Sequence, residues 1–329
     1  MSRIGIPDLN PALEAELVSR IEEVETSLRF AIEGKYPLVI ETSRHLVDAG
    51  GKRLRPLLTL IASHLGDPRA KGIIEAAVVC ELTHLGTLYH DDVMDEAPLR
   101  RGVASANNRW TNTVAILTGD YLFAKTSQLL ADLGPEAVRL QALTFERLVI
   151  GQIMETQGST SGKSPIDHYL GVIADKTGSL ISASARYGAM ISGASAESMD
   201  AVTKFGEEIG MVFQLADDII DIASTSNESG KTPGTDLREG IPTIVTLFIL
   251  ESNDPSDAEL KKILSAPITD EKIVADTLAK LRDHKALTQA RELTAQYGTA
   301  ALKHLERLPA GPAKDALVGL SQAVINRTA

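Results

Sequence analysis

The chain has 329 residues, 43% of them hydrophobic and 4% aromatic, with 33 Lys and Arg against 44 Asp and Glu and a formal net charge of −11. That length and apolar content support a sizeable core, and a single cysteine, Cys80, rules out a disulfide framework or a thiolate zinc site and fits a reducing cytoplasm. The negative balance argues against a nucleic-acid binder, and neither a signal peptide nor an apolar run of membrane-spanning length is found.

Helical spacing dominates. Leu13, Leu17, Ile21, Val24, Leu28 and Ile32 form one stripe, opened by Asn10 as a cap and Pro11 in the first turn. A second helix is predicted to end at Ala49-Gly50-Gly51, and a third to run from Pro56 to Gly66-Asp67-Pro68. A long apolar helix follows over 70–96, then helices over 111–132, 135–157, 165–191, 196–223 and 241–252, with shorter ones to 327. Thr113–Gly119 also has the composition of a short strand, and Ser256 with Glu259 reads as a capping box. The expectation is an all-α fold, a single domain over 1–329 built as a bundle of long helices.

Two acidic clusters carry the chemistry. HDDVMDEAPLRRG holds Asp91, Asp92 and Asp95, and FQLADDIIDI holds Asp217, Asp218 and Asp221; both read D-D-x-x-D. Positions i and i+4 share a helix face, so Asp91 and Asp95 point together, as do Asp217 and Asp221. Carboxylates crowded among Val93, Ile219 and Ile220 repel one another and demand a cation. Oxygen-only ligands select a hard ion, and Mg²⁺ binds through one or two carboxylates plus substrate phosphates. The expectation is two acidic walls bridged by Mg²⁺ and a polyphosphate. A solvated acidic face explains one such cluster about as well, but it explains two, each followed by cations, poorly.

Cations stand where a diphosphate needs them. Arg100-Arg101-Gly102 follows the first cluster, and GGKRLRP sets Lys52, Arg53 and Arg55 at the start of a helix. Lys176-Thr177-Gly178 and Gly230-Lys231 add two more. His84 lies two helical turns before Asp91 and can donate to a phosphate, although a histidine in an apolar helix is more often a core residue. Glu81 and His84 form one E-x-x-H pair, whereas a di-iron bundle requires two.

Taken together, GGKRLRP, ELTHLGTLYHDDVMDEAPLRRG, GDYLFAK, DKTGSL, FQLADDIID and GKTPGTDLREG resemble the trans-isoprenyl diphosphate synthase (polyprenyl synthetase) family, in that order from Gly50 to about Thr243. The resemblance implies an all-α bundle around a deep central cavity. It also implies head-to-tail condensation of isopentenyl diphosphate onto an allylic diphosphate. Carried over by position, Asp91, Asp95, Asp217 and Asp221 would be metal ligands, with Asp92 and Asp218 beside them in the catalytic set. Arg100, Lys176 and Lys231 would contact the allylic diphosphate. Lys52, Arg55, His84 and Arg101 would hold isopentenyl diphosphate. Thr177 and Gln214 would lie near the carbon where positive charge develops.

The resemblance further implies a homodimer, with a peripheral membrane contact for product release. Short-chain relatives carry an aromatic floor four and five residues before the first motif, where this chain has Gly86 and Thr87. The expectation is therefore a long-chain product, such as a quinone side chain, and shortening by Gly86→Phe. A close approach of a neighbouring helix is the alternative explanation of that glycine, weighed below the open cavity. One departure is Ile241, which stands where a lysine is common and weighs toward the long-chain reading over a farnesyl or geranylgeranyl synthase. A terpene cyclase or head-to-head synthase has no need of GGKRLRP and Arg101. An idle regulatory subunit typically loses acidic motifs that are intact here, and a structural helical protein with an acidic face would bind neither Mg²⁺ nor diphosphate.

Overall fold

A computed structural model describes residues 4–159, 162, 164–224 and 233–328. The helices in chain order are α1 (Pro11–Ala31), α2 (Pro37–Asp48), α3 (Leu54–Ser63), α4 (Ile73–Met94), α5 (Ala106–Arg109), α6 (Asn112–Leu133), α7 (Pro135–Gln157), α8 (Pro165–Ile173), α9 (Ser179–Ile191) and α10 (Ala196–Ala223). They continue with α11 (Thr235–Glu239), α12 (Ile244–Leu250), α13 (Ala258–Ile263), α14 (Glu271–Arg282), α15 (Lys285–Leu305) and α16 (Pro312–Ile325). Between α4 and α5 lies a hairpin of β1 (Leu99–Arg100) and β2 (Val103–Ala104), paired antiparallel. The all-α expectation holds. Among the described residues no helix is long and apolar enough to cross a membrane.

Asn10 caps α1 by accepting the Ala12 and Leu13 N–H groups at 3.0 and 3.2 Å. The third helix starts at Leu54 rather than Pro56, entered through Arg53 with its left-handed backbone. Thr113–Gly119 is helical, not extended. Its buried positions, Ala115, Thr118, Gly119 and Leu122, keep the helical spacing, and Thr111 caps the helix through the Val114 N–H. Ser256 makes no capping box. Asp254 caps a short 3₁₀ turn there, and a capping box stands instead at Thr243 and Thr246.

The chain divides into two compact units. One comprises Met1–Phe145, Leu180–Thr203 and Arg307–Leu317. Its central element is α4, buried on nearly all sides from Ile73 to Gly86 because it is apolar all round, and packed chiefly against α6, then α3 and α1. Two glycines bring α4 and α6 together: a Cβ on Gly86 would lie 2.7 Å from the Phe123 ring, and one on Gly119 would strike His90. Two buried polar side chains tie its helices together. Tyr89 donates its hydroxyl to the Thr42 carbonyl, and Gln141 donates to Thr83 Oγ1 at 2.9 Å.

The other unit comprises Glu146–Ser179, Lys204–Glu306 and Val318–Ala329. Its core joins Ile173, Met211, Leu215, Ile219, Ile222, Ile244, Val245, Ile249, Leu281 and Leu287. Met211, Leu215, Ile219 and Ile222 are spaced by four, four and three, which turns one stripe of α10 inward and leaves the acidic residues between them.

Candidate active site

The first acidic motif ends α4. Asp91 is half-buried and Asp95, at the C-cap, is exposed, while Asp92 between them is fully buried. Adjacent helix residues point about 100° apart, so the middle aspartate faces inward while the outer pair shares a face. Arg100 on β1 donates from Nε to Asp92 at 2.5 Å. Burial nevertheless raises the Asp92 pKa, Arg100 opposing it. The hairpin reverses through Arg101 and Gly102 at φ 52° and 78°, the paired positive values of a two-residue turn.

In the same unit, cations crowd around one buried carboxylate. Arg53 donates to Glu81 at 2.7 Å and to Glu25 at 2.5 Å. Arg101 lies 3.5 Å from Glu81 and donates to the carbonyls of Leu46 and Gly50. A Cβ on Gly51, at φ 153°, would sit 3.0 Å from both guanidinium groups, so only glycine lets the loop lie against them. Arg55 is different: its Nε is buried and makes no hydrogen bond among the described residues, and burial lowers its pKa. Burial, and then the charges of Arg55, Arg101, Arg100 and Arg53, hold the His84 pKa well below its ordinary value. His84 is therefore a neutral imidazole among four guanidinium groups. Lys52 is exposed on the loop before Arg53. A buried donor such as the Arg55 Nε is costly to leave unmet, and an incoming anion can satisfy it.

The second motif lies in the other unit, and its aspartates are used unequally. Asp218 is buried. It accepts from the Tyr169 hydroxyl, from the Ile244 N–H at 3.1 Å and from Gln214 at 3.2 Å, and burial raises its pKa to about 6. Asp221 accepts the N–H groups of Thr235 and Asp236 at 3.2 and 3.3 Å, capping α11. Asp217 is half-exposed and pairs with Arg327 at 2.9 Å, whose guanidinium also covers the Phe213 ring at 5.2 Å.

Lys176 and Thr177 sit on a π-helical turn, Ala174–Gly178, where an uninterrupted helix over 165–191 is expected from sequence. Lys176 Nζ is 2.5 Å from Glu155, and Thr177 Oγ1 donates to Gln214 at 3.4 Å. Thr177, Gln214, Asp218 and Tyr169 are thus joined in one hydrogen-bonded chain. Lys231 lies outside the described residues. Among the described residues no three His, Cys, Asp or Glu side chains converge as a preformed metal cluster.

Gly86 and Thr87 do not form an open gap. The Phe123 ring of α6 fills the notch at Gly86, edge-on to His90 at 5.5 Å and tilted on Phe145 at 4.7 Å, and Thr87 bonds back to the His84 carbonyl. A phenylalanine introduced at 86 would collide with that ring. Sequence reasoning missed Phe123, Tyr169, Arg147 and Arg327. Only Phe123, in GDYLFAK, lies within a motif it had singled out.

A polyprenyl synthetase family model matches residues 36–281. The chain belongs to the polyprenyl synthetase family. It is 46% identical to the nonaprenyl diphosphate synthase of Mycobacterium tuberculosis, aligned over 94% of this chain and 92% of that protein. The geranylgeranyl pyrophosphate synthase of Corynebacterium glutamicum, solved with calcium and isoprenyl diphosphate, superimposes with a TM-score of 0.87 and 42% identity, covering 97% of this chain and 98% of that one. A decaprenyl diphosphate synthase from Rhodobacter capsulatus gives 0.88 and 31%, covering 97% and 99%.

Proposed function

We propose that this polyprenyl synthetase condenses isopentenyl diphosphate head-to-tail onto an allylic diphosphate and repeats the step to a long-chain all-trans polyprenyl diphosphate. The observation that carries the reading is the basic cluster: Arg55 with its orphaned buried Nε, beside neutral His84, Arg101 and exposed Lys52. Several guanidinium groups around one buried glutamate form a seat for a polyanion. We assign that seat to isopentenyl diphosphate.

Asp91 and Asp95 in the first motif, and Asp217 and Asp221 in the second, each fit divalent ions such as Mg²⁺. Their donors are all oxygen, and Asp217 already holds a cationic side chain. When bound, the ions supply Lewis-acid stabilisation of departing pyrophosphate. Asp92 and Asp218 anchor the two motifs from within, Asp92 holding Arg100 and Asp218 holding Tyr169 and the Ile244 N–H. Asp221 fixes the turn into α11. Arg100, Lys176 and Lys231 are assigned to the allylic diphosphate. Thr177 and Gln214 present oxygen dipoles to the allylic carbon as its C–O bond breaks. The alkene of isopentenyl diphosphate then forms the new C–C bond, and released pyrophosphate accepts the proton lost.

The long-chain assignment is supported by the nonaprenyl and decaprenyl relatives. The filled notch at Gly86, and the likeness to a geranylgeranyl synthase, favour a shorter product as the second reading. We further propose a cytoplasmic homodimer that touches membrane at its periphery. Leu117 on α6 and Leu143 on α7, 61% and 56% exposed, support an apolar dimer face. Treating 1–329 as one domain is supported by a family match that includes parts of both compact units. The deciding experiment incubates the purified chain with Mg²⁺, isopentenyl diphosphate and each allylic primer, and sizes the products by mass spectrometry. Products of seven or more isoprene units support the main reading, four units the second, and no condensation overturns both.

A further inference from the structure

The π turn at Ala174–Gly178 has an unusual support. A π turn holds an extra residue in a helix, and such turns concentrate at functional sites. This one carries Lys176 and Thr177. Its N-terminal end is clasped by Arg147 of α7. Arg147 Nε donates to Asp175 at 2.7 Å, and Nη1 and Nη2 donate to the two oxygens of Glu207 at 2.6 and 3.0 Å. Nη2 also donates to the Ala174 carbonyl at 3.3 Å, so one planar fork ties α10 and the first residues of the turn together.

Two bare backbones complete the seat. A Cβ on Gly151, one helical turn after Arg147, would lie 2.7 Å from the Lys176 backbone nitrogen. A Cβ on Gly210 would lie 2.6 Å from the Gly178 Cα. The turn is therefore pressed against glycine on both sides and held in register by a guanidinium whose own bonds all go to Asp175, Glu207 and Ala174.

We propose that Arg147 is a positioning residue for Lys176 and Thr177, holding their turn in its π register so that the ammonium and the hydroxyl are presented together. Relaxation to an α register removes one residue from the turn and rotates the residues after it by about 100° relative to those before it, so the turn's side chains no longer keep their aim. The inference rests on the assignment of Lys176 and Thr177 to the allylic substrate. It assigns Arg147 no contact with substrate.

The test compares wild type, Arg147→Lys, Arg147→Ala and Gly210→Ala by steady-state kinetics, each substrate varied separately, with thermal melts alongside. Lysine reaches one carboxylate but cannot serve all three partners. The added Cβ of Gly210→Ala displaces the same turn without touching Arg147. The expected result is kcat lowered by up to about 100-fold in Arg147→Ala, the loss that misplacement of a catalytic group on the ångström scale produces. KM for the allylic diphosphate should rise while KM for isopentenyl diphosphate stays within about twofold. Arg147→Lys should fall between, and Gly210→Ala should reproduce the same split. If Arg147→Ala does not fold, the other two variants decide. Unchanged kinetics, or both KM values rising together with a lowered melting temperature, would overturn the proposal. A wild-type protein that condenses nothing overturns the functional reading and this inference with it. An active wild type with kinetically silent variants overturns the inference alone.

Discussion

The contact between Gly86 and Phe123 yields a stability prediction whose sign depends on both residues. Gly86→Ala in the interior of α4 gains about 1 kcal/mol of helix propensity. The new Cβ meets three carbons of the Phe123 ring at 2.7, 2.9 and 3.1 Å, where ordinary carbon contacts lie near 3.5–4.0 Å. The ring must retreat by about 1 Å, but the His90 edge and Phe145 confine it. Overpacking of that kind costs about 1–3 kcal/mol, so the single substitution should be neutral or destabilising by up to roughly 2 kcal/mol. Phe123→Ala should cost about 2–3 kcal/mol, less than a fully buried phenylalanine because the ring is half-buried. In the double variant the added methyl enters space the ring has vacated, and the propensity gain returns. The coupling should therefore favour the pair by about 1–3 kcal/mol. Urea denaturation of all four proteins at one concentration measures it. Additivity within about 0.5 kcal/mol would refute the contact as the determinant. The same geometry dictates that Gly86→Phe, as a probe of product length, be combined with Phe123→Ala.

Asp91→Ala and Asp217→Ala should each lower turnover by orders of magnitude while circular dichroism stays helical, and wild-type turnover in either would remove it as an ion ligand. Arg327→Ala should tighten Mn²⁺ binding to the substrate-free protein by up to about fivefold, the worth of a half-exposed ion pair; unchanged affinity by paramagnetic resonance would show that Arg327 does not compete with the ion. His84 is held below the unfolded histidine value of about 6.5, so its contribution to stability is complete above pH 6.5 and is lost as pH falls toward its folded pKa. His84→Ala should therefore lose less stability than wild type between pH 6.5 and 5, and parallel pH profiles would contradict a neutral His84.

What sequence reveals and what it hides separates along chain distance. The starts of α1 and α7 and the inward face of α10 are written locally, in Asn10-Pro11, Gly134-Pro135 and the stripe of Met211, Leu215 and Ile219. The π turn is not, because ADKTG has nothing in its composition to distinguish it from α-helix; the extra residue is held by Arg147 and Glu207 from other helices. The hairpin at Leu99–Ala104 has two-residue strands, too short for alternation to register. Thr113–Gly119 suggested a strand through its β-branched residues, yet packing against α4 decided for helix. The Phe123 ring over Gly86 and the Arg327 bond to Asp217 are distant in sequence, and nothing local encodes either.

The inequality among the aspartates was within reach of a helical wheel. Asp92 shares its stripe with Leu85 and Tyr89, both fully buried, and Asp218 shares its stripe with Met211, Leu215 and Ile222. In each D-D-x-x-D the second aspartate is thus carried inward by the apolar period that turns the first one out. The pattern specifies one anchor and a ligand face, not three equivalent carboxylates. Their substitutions should therefore differ in kind. Asp218→Ala strands the Tyr169 hydroxyl and the Ile244 N–H in the core, at about 1–3 kcal/mol each, and Asp92→Ala leaves Arg100 without its carboxylate at a cost on the order of 2 kcal/mol. Asp217→Ala loses a half-exposed pair worth about 1 kcal/mol or less. Melting temperatures should fall clearly for the two inner variants and little for Asp217→Ala, although all three lose activity. Equal melting temperatures across the three would show that the inner aspartates bind ligand rather than hold the helices.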